Sequence, residues 1–163
     1  MYKRQVDIIF FVDQSASMAD KAAQMAGLYQ SFVCAVEDVT PDWQMILIGR
    51  RGSPECGWGG ILSPDRPDAS ETFETGATSG FGPSDEAGLE WANLAVEASE
   101  VGGCNEGFVR EDAVLYVVAL TDEPDGSTGG YMPQVEQLID AKGDPSKVVT
   151  VSYTHLTLPT KNE

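Results

Sequence analysis

The stretch "DIIFFVDQSASMAD", residues 7–20, decides the fold. Residues 6–12, "VDIIFFV", form a short and almost unbroken apolar run, the pattern of a parallel strand covered on both faces. The run stops abruptly at Asp13, Ser15 and Ser17, and a helical pattern begins at once. Ser17 followed by Asp20 gives a capping-box-like start. Ala22, Met25, Ala26, Tyr29, Phe32, Val33 and Val36 then recur at helical spacing, so an amphipathic helix is predicted to about Asp38.

Working outward, "TPD" at 40–42 breaks that helix and "WQMILIG" at 43–49 reads as a second strand. Residues 50–83 are rich in Gly, Pro, Ser and acids, with short edge strands expected near 59–62 and 71–73. Helical period returns over 84–99, with Leu89, Ala92, Val96 and Ser99 on one side. "AVLYVVALTD", 113–122, is the most apolar segment and again ends in an aspartate. A helix beginning near Tyr131 is closed by Gly143, and "KVVTV" at 147–151 opens a further strand. This alternation predicts an α/β fold with a doubly wound, mostly parallel sheet and helices on both faces.

The chain has 163 residues, enough for one domain. Its net charge of −16 argues against nucleic acid or an anionic membrane surface as partner, and no apolar run approaches the ~18 residues of a membrane span. Both ends read as foreign. "MYKRQ" (1–5) and the tail over 151–163 back-translate to an inverted repeat that resembles the transposase adapter of sequencing libraries. The domain is therefore expected over residues 6–150, truncated at its C-terminal side, with little core contribution from the flanks. With no start preserved, the lack of a signal peptide says nothing about export.

In a doubly wound sheet, ligands bind beyond the carboxyl ends of the strands, where strand order reverses. The first and fourth core strands flank that point in the usual order, which brings Asp13 and Asp122 together. If the tip stays extended, its period of two turns Asp13, Ser15 and Ser17 the same way. Hydroxyls with carboxylates on opposite walls make an all-oxygen site suited to Mg²⁺ or Mn²⁺ rather than zinc. Directly bound oxygens should then lie about 3 to 4 Å apart. Replacing Asp13 by Ala is expected to leave the fold nearly intact and to relieve repulsion with Asp122.

At these residues the sequence resembles the von Willebrand factor type A domain. "DQSAS", 13–17, matches that family's metal-ion-dependent adhesion motif D-x-S-x-S, Met18 is the usual next residue, and "VVALTDE", 117–123, is similar to its second aspartate-bearing strand end. "GGCNEGFVREDAVLYVVALTDE", 102–123, resembles bacterial cell-surface members. The resemblance implies a Mg²⁺ held by Ser15 and Ser17, with Asp13 and Asp122 acting largely through water. An Asp or Glu from a protein partner would complete the octahedron. A loop hydroxyl is also implied: within "TGATSGFGPSDEAGLEWA", 75–92, Ser84 lies closest to the family spacing and Thr78 is second.

Other readings stand beside these. Ser84 serves equally as a helix N-cap, Ser17 can cap while also ligating, and "TDEPDGS", 121–127, has an alternative as a solvated acidic turn, although Asp122 directly follows an apolar run. Cys34, on the long helix, reads as a small buried hydrophobe. Cys56 and Cys104, in Gly-rich loops, are either free thiols or one disulfide, which would imply an extracellular or cell-envelope protein. A haloacid-dehalogenase-type phosphotransferase also begins with a strand-end aspartate, but it wants D-x-D where this chain has "DQS". Ser–His–Asp and Cys–His catalysis lack a histidine anywhere in 6–150, so a non-enzymatic module is expected. A chelatase or ATPase partner subunit using the same metal site is the remaining alternative.

Overall fold

A computed structural model describes residues 5–49, 53–80 and 87–153. Four strands, β1 (Val6–Val12), β2 (Trp43–Ile48), β3 (Val114–Leu120) and β4 (Val148–Tyr153), form one sheet in the order β2-β1-β3-β4, every neighbouring pair parallel. Helices α1 (Ala19–Val39) and α2 (Ala69–Ala77) cover one face; α3 (Gly88–Glu97) and α4 (Tyr131–Lys142) cover the other. This is the doubly wound α/β arrangement expected.

Alternation along β1 builds two cores. Ile8, Phe10 and Val12 pack with Met18, Tyr29, Val33 and Phe73, while Ile9 and Phe11 pack with Leu89, Ala92, Phe108 and Leu138. Phe10 stands edge-on to both Phe32 and Phe73, an arrangement that favours aromatic rings beyond simple burial. Gly88 matters because α3 passes so near the sheet that a Cβ there would lie 2.6 Å from the Phe11 ring.

Several expectations need correction. Residues 71–73 are helical, not a strand: Ala69, Phe73 and Ala77, spaced by four, bury one face of α2 against the first core. The edge strand at 59–62 shrinks to a single antiparallel bridge, Met45 to Leu62. Among the described residues the strand bearing Asp122 is therefore the third and not the fourth. Cys34 is exposed, since Ala22, Ala26, Tyr29 and Val33 carry the buried stripe of α1 and the next residue falls off it.

β4 continues past residue 150, beyond the end expected of the domain. Val151 and Ser152 pair with Val118 and Ala119, both side by side with solvent. On the α1 side, Phe32, Val36, Val39, Tyr116, Val118 and Val151 line an open apolar groove of about 350 Å³. Val39 is 79% exposed and Val151 43%.

The lower end of the sheet holds a polar network. Asp7, the one acid inside the β1 run, is fully buried and accepts from the Arg110 backbone N–H and from its Nε, each at 2.8 Å. Arg110 also donates to Asp42 Oδ1 and to the Val6 carbonyl, and Lys142 donates to the Arg110 carbonyl. Burial pushes the Asp7 carboxyl above its ordinary range, against the pull of Arg110.

Candidate metal centre

Strand order reverses between β1 and β3, so their carboxyl ends open the crevice. The ladder pairs Val12 with Leu120, and the Asp13 N–H extends it by donating to the Leu120 carbonyl at 2.9 Å. One step beyond the ladder, Asp13 meets Thr121, whose hydroxyl donates to Asp13 Oδ2 at 3.1 Å. Asp13 is 1% exposed, and its Oδ1 accepts the Ser15 N–H at 2.7 Å.

The tip does not stay extended. Ala16–Met18 forms a 3₁₀ turn closed by Met18 N–H to the Ser15 carbonyl at 3.0 Å. That turn, not a period of two, folds the hydroxyls together: Ser15 Oγ lies 3.0 Å from Ser17 Oγ. Ser17 Oγ in turn donates to Asp122 Oδ1 at 3.3 Å. Neither separation leaves the 3 to 4 Å range expected of oxygens sharing one small cation. Ser17 caps nothing; neither the 3₁₀ turn nor α1 has a side-chain cap bond, so the capping-box expectation fails.

Asp122 has a second partner that the sequence reading missed. Lys21 Nζ, from the first turn of α1, lies 3.0 Å from Asp122 Oδ2. Burial alone would raise the Asp122 carboxyl. The hydrogen bonds from Lys21 and Ser17, with the Lys21 charge, outweigh it and hold the group below its ordinary value. Thr121 was missed as well. A hydroxyl directly preceding a strand-end aspartate was the available signal for it, and a cation four residues after Ser17, one helical turn on, was the signal for Lys21.

Of the two proposed loop hydroxyls, Ser84 lies outside the described residues. Thr78 closes α2, donating its hydroxyl to the Glu74 carbonyl at 2.6 Å, and no described hydrogen bond joins it to the Asp13–Asp122 cluster. Beyond Asp122, the acidic turn is built rather than solvated. Asp125 Oδ1 accepts from the Leu89 N–H at 3.3 Å and from the Ser127 hydroxyl at 2.9 Å, and that hydroxyl accepts the Glu90 N–H at 2.9 Å. The loop carrying Asp122 thus satisfies the first amides of α3.

Among the described residues no group of three or more His, Cys, Asp or Glu side chains gathers as a metal site. The donor set here is two hydroxyls and two carboxylates. Elsewhere, Cys56 and Cys104 form a disulfide with Cα atoms 5.7 Å apart. Asn105 reinforces it, accepting the Gly57 N–H and donating to the Glu55 carbonyl, each at 2.8 Å.

No protein-family model matches the chain, and no curated protein matches it. Among solved structures, three of proximal thread matrix protein 1 from the mussel byssus are similar over 92% of this chain. Identities are 14–16% and TM-scores 0.43–0.47, and one of the three has a zinc-occupied metal-ion-dependent adhesion motif. The chain spans 37–38% of the length of that protein.

Proposed function

We propose that this chain is a metal-ion-dependent protein-binding module of the von Willebrand factor type A kind, without catalysis of its own. Ser15 and Ser17 hold Mg²⁺, or Mn²⁺ in its place, through their hydroxyls. Asp13 and Asp122 balance its charge, and Ser84 or Thr78 supplies a further hydroxyl. When bound, the ion offers a Lewis-acid seat to an Asp or Glu carboxylate presented by a protein partner.

The observation that carries this reading is the 3.0 Å between Ser15 Oγ and Ser17 Oγ. In an octahedron with metal–oxygen distances of ~2.1 Å, adjacent donors stand ~3.0 Å apart, so the 3₁₀ turn presents one edge of such a shell ready made. Hard oxygen donors with no nitrogen or sulfur favour Mg²⁺ or Mn²⁺. Thr121 and the Ser15 N–H fix the Asp13 carboxylate, so the chain pays little reordering on loading. The Cys56–Cys104 bridge supports an extracellular or cell-envelope setting, because disulfides persist in oxidising compartments. Among the described residues no helix is long and apolar enough to cross a membrane.

The test is Mg²⁺ titration by calorimetry of the 163-residue chain beside Ser15→Ala and Ser17→Ala. Loss of most of the binding in both variants is expected. Equal binding by all three would end the reading.

A further inference from the structure

The cluster proposed to bind a divalent ion already faces a cation of the chain's own. Lys21 sits in the first turn of α1, where the helix's partial positive charge disfavours an ammonium. Its Nζ is nonetheless 3.0 Å from Asp122 Oδ2, while Ser17 Oγ lies 3.3 Å from Oδ1 of the same carboxylate. Ser17 and Lys21 are one helical turn apart, so the two grip the two oxygens of Asp122 together. Basic residues are scarce here, 10 Lys and Arg against 26 Asp and Glu, and this one is set beside the proposed ion.

We propose that Lys21 is a tethered counter-cation of the metal centre: its ammonium competes with the divalent ion for Asp122 and sets how tightly that ion is held. The inference rests on the metal-site reading above. A loading ion must draw the charge of Asp122 away from Lys21 and tolerate an ammonium close by, so both effects weaken binding. Lys21 is one-third exposed along its side chain and can swing toward solvent at little cost, which makes the competition reversible. The site would therefore fill only where the divalent ion is plentiful, or where a partner's carboxylate adds to its hold.

The experiment titrates the 163-residue chain with Mg²⁺ and with Mn²⁺ by calorimetry, alongside Lys21→Met, which keeps the aliphatic stem, and Lys21→Arg, which keeps the charge. Removing one unit charge near a divalent ion at a partly exposed site should tighten binding about tenfold in Lys21→Met. Lys21→Arg should bind no tighter than the parent. Melting in EDTA gives a second readout: Lys21→Met should melt lower than the parent without metal, yet gain more from added Mg²⁺. Equal or weaker binding by Lys21→Met than by the parent would overturn the inference and leave the metal site standing. Absence of binding in all three proteins would overturn the metal reading, and this inference with it.

Discussion

Asp13→Ala separates the two roles of the D-x-S-x-S stretch, because the structure reverses what the sequence predicts for it. Read from the sequence, the change relieves repulsion between two carboxylates. In the structure Asp122 is already matched by Lys21 at 3.0 Å, so little repulsion remains to relieve. Asp13 meanwhile anchors two donors, the Ser15 N–H at 2.7 Å and the Thr121 hydroxyl at 3.1 Å. Asp13 is 1% exposed, so both donors are satisfied away from bulk water. A hydrogen bond to a charged group contributes about 1.5–3 kcal/mol. With Asp13 gone, the single Thr121 proton can turn to the Glu123 carbonyl at 3.2 Å while its oxygen still accepts the Glu123 N–H at 3.1 Å, so its loss falls at the low end. Removing a buried carboxylate also returns part of its desolvation cost.

The net loss for Asp13→Ala is then about 2–3 kcal/mol, which for a domain of this size lowers the melting temperature by about 4–12 °C. The assay is thermal unfolding in EDTA, followed by the same measurement in Mg²⁺. The parent should melt higher in Mg²⁺ and the variant should not respond. An Asp13→Ala protein melting at or above the parent in EDTA would refute the anchoring argument and restore the repulsion expected from sequence.

The remaining predictions concern the Cys56–Cys104 bridge and the Arg66–Asp68 pair. Replacing both Cys56 and Cys104 by Ser opens a bridge of sequence separation 48, whose chain-entropy limit is about 4 kcal/mol. Because Asn105 still clasps the 55–57 loop, we expect a loss of about 2–4 kcal/mol, read by denaturant titration with and without reductant; unchanged stability would mean the bridge constrains nothing. The hydrogen bonds from Arg66 hold the exposed Asp68 carboxyl down to about 2. Because its folded value lies below the ordinary 3.8, its contribution is present above pH 3.8 and is lost as pH falls toward 2. Arg66→Met should flatten the acid limb of a stability–pH curve in that window, and an unaltered limb would show that the pair contributes nothing.

Strand and helix order was legible because each element of this sheet carries its own pattern: unbroken apolar runs for strands covered on both faces, and a stripe of period 3.6 for α1. The stretch at 71–73 misled because Thr and Phe favour strands locally. Its alternative, Ala69, Phe73 and Ala77 against Phe10 and Tyr29, depends on contacts with residues about forty to sixty positions away. The candidate site was legible as a set of residues but not as a geometry. Spacing alone cannot tell an extended tip from a 3₁₀ turn, and only the turn explains why Ser15 and Ser17 touch. Lys21 went unread for a similar reason: which carboxylate it reaches is fixed by how the N-terminus of α1 meets the loop after β3.

The two ends of β1 show why one aspartate reads as architecture and the other as a site. Asp7 and Asp13 lie on the same strand path, and both are buried. At the lower end, Asp7 and Asp42 meet Arg110 and Lys142, two acids with two bases. The donors to Asp7 are the backbone N–H and guanidinium of a single residue, locked further by the Val6 carbonyl. A network satisfied in this way specifies register between β1 and the 108–113 loop, and an arriving ion would have to displace fixed charges to enter it. At the upper end Asp13 accepts from an N–H and a hydroxyl, and among the described residues Asp122 pairs with the ammonium of Lys21. Ser15 and Ser17, half-buried and exposed, keep acceptor lone pairs that their mutual hydrogen bond does not use. Carboxylates, flexible cationic cover and hydroxyl oxygens at octahedral spacing are what a loading cation requires. At the lower end the guanidinium of Arg110 instead clamps Asp7 and Asp42 directly.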